Sequence, residues 1–189
     1  MKKSFGTVVR ADARHSDHVT KALNELASQS DRSAAMVATA ILNLVLTEAL
    51  KSYLHTDTNI AAHFFAADGP VGDLGAKVDL AFLVGLVSET SWRDLVTIRN
   101  ICNTFAHKME ISSFRAKSAA AQCNKLRIAE IRTFDVADKP KEWPKGRWMS
   151  VENRKQVLSD PRERFLLTVA VLCSGLATSR NRKVPPPTF

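Results

Sequence analysis

The chain has 189 residues, of which 45% are hydrophobic and 24% are charged, as is typical of one soluble globular domain. Seven glycines and seven prolines are too few for a collagen-like or low-complexity chain. A chain of this length buries roughly 70% of its unfolded surface on folding, so it needs neither metals nor disulfides for stability. No apolar run reaches the roughly 18 residues of a membrane helix, and residues 1–5 lack the apolar continuation of a secretory signal. We therefore expect a cytoplasmic protein that is not associated with a membrane.

The excess positive charge lies entirely in the C-terminal part. Residues 1–107 hold 10 Lys and Arg against 11 Asp and Glu, whereas residues 108–189 hold 17 against 8, a net charge of +9. This asymmetry suggests a polyanionic partner, nucleic acid first, because cations placed on phosphates release bound counterions. A solvated basic face explains the same charge equally well.

Several familiar chemical sites are missing from the sequence. The glycines within residues 69–75 do not follow a strand, so they do not form a nucleotide-binding loop. The five histidines make no pair with the spacing of zinc ligands. We therefore predict no metal and no cofactor. Three cysteines are too far apart for a zinc site or a disulfide framework, and we expect buried thiols at Cys102, Cys123 and Cys173.

The N-terminal half predicts helices after a short polar arm over residues 1–14. Apolar residues then recur at helical spacing, at Val19, Leu23 and Leu26. Asp31 or Ser33 can cap a longer helix over about residues 32–54. Because that helix is apolar around much of its circumference, we expect it to run through the middle of a bundle.

The next segment alternates turns and helices. A break at residues 55–59 precedes a short apolar segment, and a turn at residues 68–74 leads into a helix that Asp73 can cap. The predicted apolar residues of this helix are Leu74, Val78, Phe82, Leu83 and Leu86. A further helix follows Ser88 and ends near His107, with Ser91 and Asp94 as a possible capping box. Its apolar stripe consists of Leu95, Ile98, Ile101, Cys102 and Phe105.

The C-terminal part predicts a helix over residues 117–128, then an irregular basic insertion over residues 132–158. The last helix has a strong start signal, because Asp160 can cap it, Pro161 fits the first helical position and Glu163 completes a capping box. Its core face consists of Phe165, Leu166, Val169, Leu172, Cys173 and Leu176. The predicted fold is an all-α bundle of about five or six helices, with one domain over residues 15–179 and a basic, Pro-rich tail over residues 180–189.

One polar stripe has chemical interest. Arg99, Asn103 and His107 are spaced four residues apart on a predicted helix, so they share one face. A guanidinium and an imidazole together can bind a phosphate and transfer a proton near neutral pH. The alternative is structural: Arg99 is solvated, Asn103 bonds nearby backbone, and His107 favours the negative end of the helix.

The sequence around this stripe resembles the mannitol operon repressor family of bacterial helical proteins. The resemblance covers residues 68–107 and rests on the turn residues Asp68, Gly69, Pro70, Gly72 and Asp73, on residues 77–80 and 84–86, on Leu95 and Arg99, and on residues 103–107. It implies an all-helical domain with a regulatory role and no obvious helix-turn-helix of its own.

Residues 103–107 are also similar to the motif of the HEPN superfamily, which comprises small helical bundles that often dimerise and includes metal-independent ribonucleases. In that motif four to six residues separate an arginine from the histidine, whereas seven separate Arg99 from His107 here, and Cys102 occupies the four-residue position. The resemblance implies His107 as the residue that assists attack by the ribose 2′-hydroxyl, Asn103 as its support and Arg99 as a displaced anion clamp.

Two basic segments are candidate nucleic-acid-binding sites. Cations alternate with aromatic residues that can stack on bases, at Lys141, Trp143, Lys145, Arg147 and Trp148. The tail adds Arg180, Arg182 and Lys183. A charged surface loop held by its tryptophans and a frayed tail are the structural alternatives.

Three functions follow from these patterns. The first is a non-enzymatic transcriptional regulator or co-repressor, forming a homodimer and binding DNA, RNA or a protein partner. The second is a metal-independent ribonuclease that uses His107. The third is a structural or antitoxin-like protein that buries residues 60–65 against another chain.

Overall fold

A computed structural model describes residues 25–26, 28–54, 58–132 and 157–179. Within these ranges the regular structure is helical, which confirms the predicted all-α bundle. In chain order the helices are α1 (Asp31–Tyr53), α2 (Thr58–Phe64), α3 (Leu74–Leu83), α4 (Glu89–His107), α5 (Lys117–Cys123), α6 (Ile128–Arg132) and α7 (Pro161–Ser179). The predicted arm, the predicted tail and most of the predicted basic insertion lie outside the described residues.

Helix α1 lies at the centre of the bundle, as predicted, and packs against α3, α4 and α7. Its N-cap is Ser30, whose hydroxyl accepts from the Ser33 amide at 3.2 Å, so neither predicted residue caps the helix. Asp31 is engaged elsewhere, because it accepts from the Phe114 amide at 2.8 Å and pairs with Arg162. Because Asp31 makes these tertiary contacts, the N-cap is Ser30, one residue before the predicted Asp31.

Among the helices of the described ranges, α1 is long and apolar enough to cross a membrane by length and composition alone. Its most apolar window has a mean hydropathy of 1.7, so the expectation that no apolar run reaches the length of a membrane helix is wrong by this measure. Half of that window is buried inside the bundle. Since α1 packs against three other helices, we interpret its apolarity as that of a core helix.

One hydrophobic core runs from Leu26 to Leu176. The predicted apolar stripes of α4 and α7 are buried in it, and three aromatic rings meet at its centre, with Phe114 4.8 Å from both Phe105 and Phe165 between ring centroids. All three cysteines are buried, as predicted. Burial raises the pKa of Cys123 and that of Cys173 to about 12, so both thiols are held in the unreactive neutral form.

Helix α3 buries only part of its predicted apolar face, since Leu74 and Leu86 are partly buried against the core. Val78 is buried, but Phe82 and Leu83 are 39% and 80% exposed, and the rest of the buried face is Lys77 and Ala81. A helix held closely between two neighbours needs small contact residues, and Ala81 supplies one. Phe82 instead stacks on Trp92 at the edge of the core, with ring centroids 5.4 Å apart.

Two predictions in the second half of the chain are wrong for a common reason. The expected helix over residues 117–128 breaks between α5 and α6, and Asp94 does not belong to a capping box. Ser88 caps α4, whereas the buried Asp94 carboxylate accepts from the Arg127 and Ile128 amides at 2.7–3.0 Å. Asp94 therefore caps α6 from a distant helix, and this capture ends the preceding helix.

The predicted cap of α7 is confirmed, because the Arg162 and Glu163 amides donate to Asp160 Oδ1 at 2.9 and 3.3 Å. The Glu163 carboxylate makes no hydrogen bond within the described ranges, so the predicted capping box does not form. The preceding residues 157–159 are helical. Asp160 therefore caps α7, as predicted, and separates it from the helical residues 157–159.

Candidate functional site

The turn that carries the family resemblance shapes the bundle. Its backbone folds back on the end of α2, with the Val71 amide donating to the Phe64 carbonyl at 3.0 Å. A Cβ on Gly69 would overlap the His63 carbonyl oxygen, and a Cβ on Gly72 would overlap the carbonyls of residues 66 and 67. Glycine is needed at both positions because the backbones approach so closely.

The remaining turn residues divide between cap and surface. Asp73 caps α3, accepting from the Gly75 and Ala76 amides at 2.6 and 3.2 Å. Asp68 and Pro70 are exposed. The described contacts of the turn therefore join α2 to α3 and cap α3, which is a structural role.

A buried lysine joins this turn to α1. Lys77 is 3% exposed, and its Nζ donates to Asn43 Oδ1 at 2.8 Å and to the Gly72 carbonyl at 3.0 Å. Burial lowers the pKa of Lys77, and Lys51 lowers it further, whereas Asp73 raises it. These bonds fix the start of α3 against the middle of α1.

The polar stripe predicted on α4 exists as a surface. Arg99, Asn103 and His107 are all exposed on the same helix, and within the described ranges their side chains make no hydrogen bond or ion pair. The Arg99 guanidinium lies over the first turn of α3, because its Cζ would be 3.0 Å from a Cβ on Gly75. Asp73 Oδ1 would lie 2.9 Å from the same Cβ, so Arg99 packs beside the cap of α3. The described contacts give Asn103 and His107 no structural use.

An apolar surface on α1, which the sequence did not predict, lies beside that stripe. Met36, Val37 and Leu44, expected in the core, are 44%, 40% and 57% exposed, and Ala40 is exposed between them. Met36 Sδ lies 3.6 Å from the Cys102 sulfur, which places this surface against α4. Helical periodicity marks α1 as apolar, but it cannot tell which apolar side chains lack a partner.

The register between α1 and α4 is well defined. Arg32, in the first turn of α1, donates to the Phe105 carbonyl in the last turn of α4. It also donates, at 2.8 Å, to the carbonyl of Ile111, just after the C-terminal end of α4. Together with the contact between Met36 and Cys102, this makes the two helices antiparallel. One turn further along, Ala40 of α1 is level with Arg99 of α4.

A second polar region surrounds the first turns of α1 and α7. An open depression of about 280 Å³ there is lined by Asp31, Ser113, Arg115, Asp160 and Arg162. Its charges are paired with one another: Arg162 bonds Asp31, and Arg115 bonds Asp160 at 3.0 Å. This depression is a structural ion-pair network.

The remaining predictions concern nucleic-acid binding, metal binding and burial against a second chain. All eight predicted nucleic-acid-binding residues lie outside the described ranges. In the described part of the chain, no three His, Cys, Asp or Glu side chains form a group that could hold a metal. Within the segment considered for burial against another chain, Phe65 and Ala61 are buried in this chain's own core, whereas Ile60 is 69% exposed.

These observations define an all-α bundle in which helix α1 exposes a partly apolar face to solvent. A chain of the X-ray structure of the MtlR–HPr complex from Escherichia coli has the same architecture, with a TM-score of 0.62 and 15% sequence identity over 86% of this chain and 99% of that one. At this identity the likeness shows the fold, so the chain has a mannitol repressor-like fold. No family profile and no curated protein matches the chain in sequence.

Proposed function

We propose that the protein is a bacterial regulatory protein of the mannitol-repressor type that acts by binding a partner, without catalysing a reaction. The observation that carries this proposal is the exposed apolar surface of Met36, Ala40 and Leu44. It lies beside Arg99 and Asn103, whose side chains make no hydrogen bond or ion pair within the described ranges. An exposed apolar patch rimmed by polar side chains is typical of an interaction site. The structural neighbour was solved in a complex with HPr, which supports a protein as the partner.

A cytoplasmic homodimer is part of this proposal. The fold is that of a helical regulator, and the α1 window that resembles a membrane span is half buried in the bundle. Light scattering on the purified full-length chain, combined with size-exclusion chromatography, should give twice the monomer mass of 20.9 kDa. A strict monomer over the accessible concentration range would remove the dimer from the proposal.

The partner can be trapped in cells. A photo-crosslinking amino acid at position 103 should give discrete protein adducts, because Asn103 is exposed at the open face and its side chain makes no hydrogen bond within the described ranges. The same amino acid at Lys125, an exposed position between α5 and α6, is the matched control. Identical adduct patterns at both positions, or none at 103, would contradict the proposal.

Direct nucleic-acid binding by the basic C-terminal part is a compatible second role. Residues 108–189 have a net charge of +9, so affinity for DNA or RNA should fall steeply as salt is raised. Replacing Lys141, Lys145 and Arg147 together by Gln should weaken binding and reduce the salt dependence. Binding that is absent, or insensitive to salt, would assign the regulatory role to protein partners alone.

The alternative function is a metal-independent ribonuclease, and one observation favours it. Arg99, Asn103 and His107 are exposed on one helix face with no structural partner in the described ranges. An active-site histidine there would take the proton of the ribose 2′-hydroxyl, with Arg99 on the phosphate.

Purified protein incubated with mixed labelled RNA in EDTA tests this alternative directly. A regulator should leave the RNA intact at high protein concentration, and its overexpression should be harmless. Cleavage that disappears in His107→Ala and falls in Arg99→Ala would make the protein a ribonuclease. Circular dichroism of both variants should match the parent chain, so that a loss of activity is not a loss of fold.

A further inference from the structure

The end of α3 holds two large apolar side chains in solvent. Asp79, Phe82 and Leu83 share one face of this helix, because they are spaced three and four residues apart. Phe82 is exposed and stacks on Trp92 of α4, and Leu83 is 80% exposed. We call Phe82, Leu83 and Trp92 the turn surface, since the connection between α3 and α4 holds them together.

That connection has a defined conformation. The Leu86 amide donates to the Ala81 carbonyl at 2.9 Å, and the Gly85 amide donates to the Phe82 carbonyl at 3.0 Å. These two bonds are those of a Schellman motif, and Gly85 has the positive φ, 73°, that the motif requires. A surface that is already ordered loses little entropy when it binds a ligand.

The turn surface lies in an acidic stretch of a chain whose net charge is +8. Residues 78–92 contain Asp79 and Glu89 and no Lys or Arg. Glu89 pairs with Arg93, whereas the exposed Asp79 accepts from Trp92 Nε1 at 2.9 Å. Aromatic-lined surfaces bind Pro-rich segments, and a carboxylate beside such a surface favours a basic ligand.

The tail of this chain has the matching chemistry. Residues 180–189 have a net charge of +3 and no Asp or Glu, and three consecutive prolines occupy positions 185–187. Consecutive prolines favour the polyproline II conformation, whose restricted backbone lowers the entropic cost of binding. The basic insertion over residues 133–156 fits less well, because it contains four carboxylates and no two adjacent prolines.

Helix α7 ends near the same end of the bundle as the turn surface. Helices α1 and α7 begin side by side, since Asp31 pairs with Arg162, and they pack along each other. Ser179, at the end of α7, is 17 residues beyond Arg162. It therefore lies about 26 Å along the bundle from the start of α1.

Leu83 lies at the same level. Helix α3 runs parallel to α1, because both run antiparallel to α4. Lys77 bonds Asn43, which is 12 residues beyond Asp31, and Leu83 is six residues beyond Lys77. Leu83 therefore lies about 27 Å from the start of α1.

The sideways distance is also within reach of the tail. Helices α3 and α7 both pack against α1, so their axes are at most about 20 Å apart. Pro185 is six residues beyond Ser179, which gives an extended reach of about 20 Å. The three prolines can therefore arrive at the turn surface without any change in the bundle.

We propose that residues 180–189 dock on the turn surface of their own chain, with the prolines against Phe82 and Leu83 and a cation beside Asp79. Three side chains bury far less than the roughly 1,200 Å² of a stable interface between folded proteins, so a short tethered segment is the occupant that fits. This contact is independent of the proposed regulatory function.

The test is paramagnetic relaxation in the full-length protein. A nitroxide is attached to Thr188→Cys, and it should react there alone because the three native thiols are buried. The amide signals of residues 83–87 should be strongly broadened. The amide of Ala62, exposed on α2, should be little affected.

A matched pair of variants tests the contact itself. Leu83→Ser should reduce the relaxation enhancement at residues 84–87 about tenfold, because it removes the most exposed apolar contact of the turn surface. Met109→Ser changes another residue that is 78% exposed, just after the opposite end of α4, and should leave the enhancement unchanged. Circular dichroism should show that both variants are folded.

A mixed sample distinguishes the tail of the same chain from that of a second copy. Isotope-labelled chains without nitroxide are mixed with nitroxide-bearing chains of natural isotope content, and no broadening is expected. Broadening in this sample equal to that within one chain would overturn the proposal in favour of exchange between copies. Equal broadening at Ala62 and at residues 83–87, or broadening that survives Leu83→Ser, would overturn it outright.

Discussion

Two groups of polar side chains in this bundle have opposite surroundings. Around the first turns of α1, α6 and α7, the carboxylates and guanidinium groups are paired with backbone or with one another, as Asp31, Asp94, Arg162 and Arg164 show. On the outer face of α4, Arg99, Asn103 and His107 have no partner in the described ranges. The first group holds irregular backbone in place, and the second is left for contacts outside the chain.

Arg164 illustrates the first group. Its guanidinium donates to the carbonyls of Leu158 and Leu126 at 2.9 and 3.0 Å and to Glu130 at 2.7 Å. Without it, the connection between α5 and α6 would expose backbone carbonyls that no helix satisfies. Many of the described C-terminal arginines are paired with carboxylates or backbone carbonyls in this way. The number of cations in the sequence therefore overstates how many are available to bind a polyanion.

The sharpest test of the contrast is Asp94→Ala. Asp94 is 1% exposed and accepts from two amides, so its removal leaves buried donors unsatisfied and should cost roughly 3 kcal/mol of unfolding free energy. Urea denaturation measures the loss. Asp94→Asn, which keeps one acceptor oxygen, should lower the free energy of unfolding by clearly less. Equal losses in the two variants would mean that the hydrogen bonds accepted by Asp94 do not account for the loss.

A smaller effect is expected at the ion pair between Asp31 and Arg162. Both side chains are about four-fifths buried, and Arg162 also donates to the Leu26 and Gln29 carbonyls. A double-mutant cycle with Asp31→Ala and Arg162→Ala should give a coupling energy of about 2 kcal/mol. The same cycle on the exposed pair Arg93 and Glu89 should give a few tenths. Similar coupling energies at the two pairs would refute the distinction between the buried ion-pair network and an exposed surface ion pair.

The paired network also predicts how stability depends on pH. Burial alone would raise the pKa of Glu130, but hydrogen bonds from Arg127 and Arg164 outweigh it and leave the pKa below its usual value. The folded state therefore holds this proton less tightly than the unfolded state, so the contribution is present above pH ~4.3 and is lost as pH falls through the folded pKa. Glu130→Gln should flatten the acid limb of the stability curve below about pH 4.3. An unchanged acid limb would show that the pairing contributes nothing.

Local signals in the sequence were sufficient to place the long helices, although the predicted caps of α1 and α4 are wrong. Helices α4 and α7 begin after caps that act within three residues, Ser88 and Asp160, and their apolar stripes repeat at the helical period. The shared face of Arg99, Asn103 and His107 follows from the same period. These features depend on neighbours in the chain, and a single sequence contains them.

The remaining features depend on contacts between distant residues. Asp94 meets the Ile128 amide 34 positions away, and no local pattern distinguishes it from a capping-box residue. The exposure of Met36 and Leu44 depends on where α3 begins relative to α1. The sequence therefore predicted the polar half of the candidate site and missed its apolar half, which only the packing of three helices reveals.

The smallest stability effect should come from the face that we assign to binding. Asn103 and Arg99 are exposed and make no hydrogen bond within the described ranges, so Asn103→Ala and Arg99→Ala should each change the free energy of unfolding by less than about 0.5 kcal/mol. Urea denaturation beside Asp94→Ala measures all three on one scale. A loss above about 1 kcal/mol at Arg99 would mean that its place over Gly75 stabilises the start of α3. Arg99 would then belong with the structural arginines, and the polar stripe of α4 would lose the guanidinium that argues for a binding role.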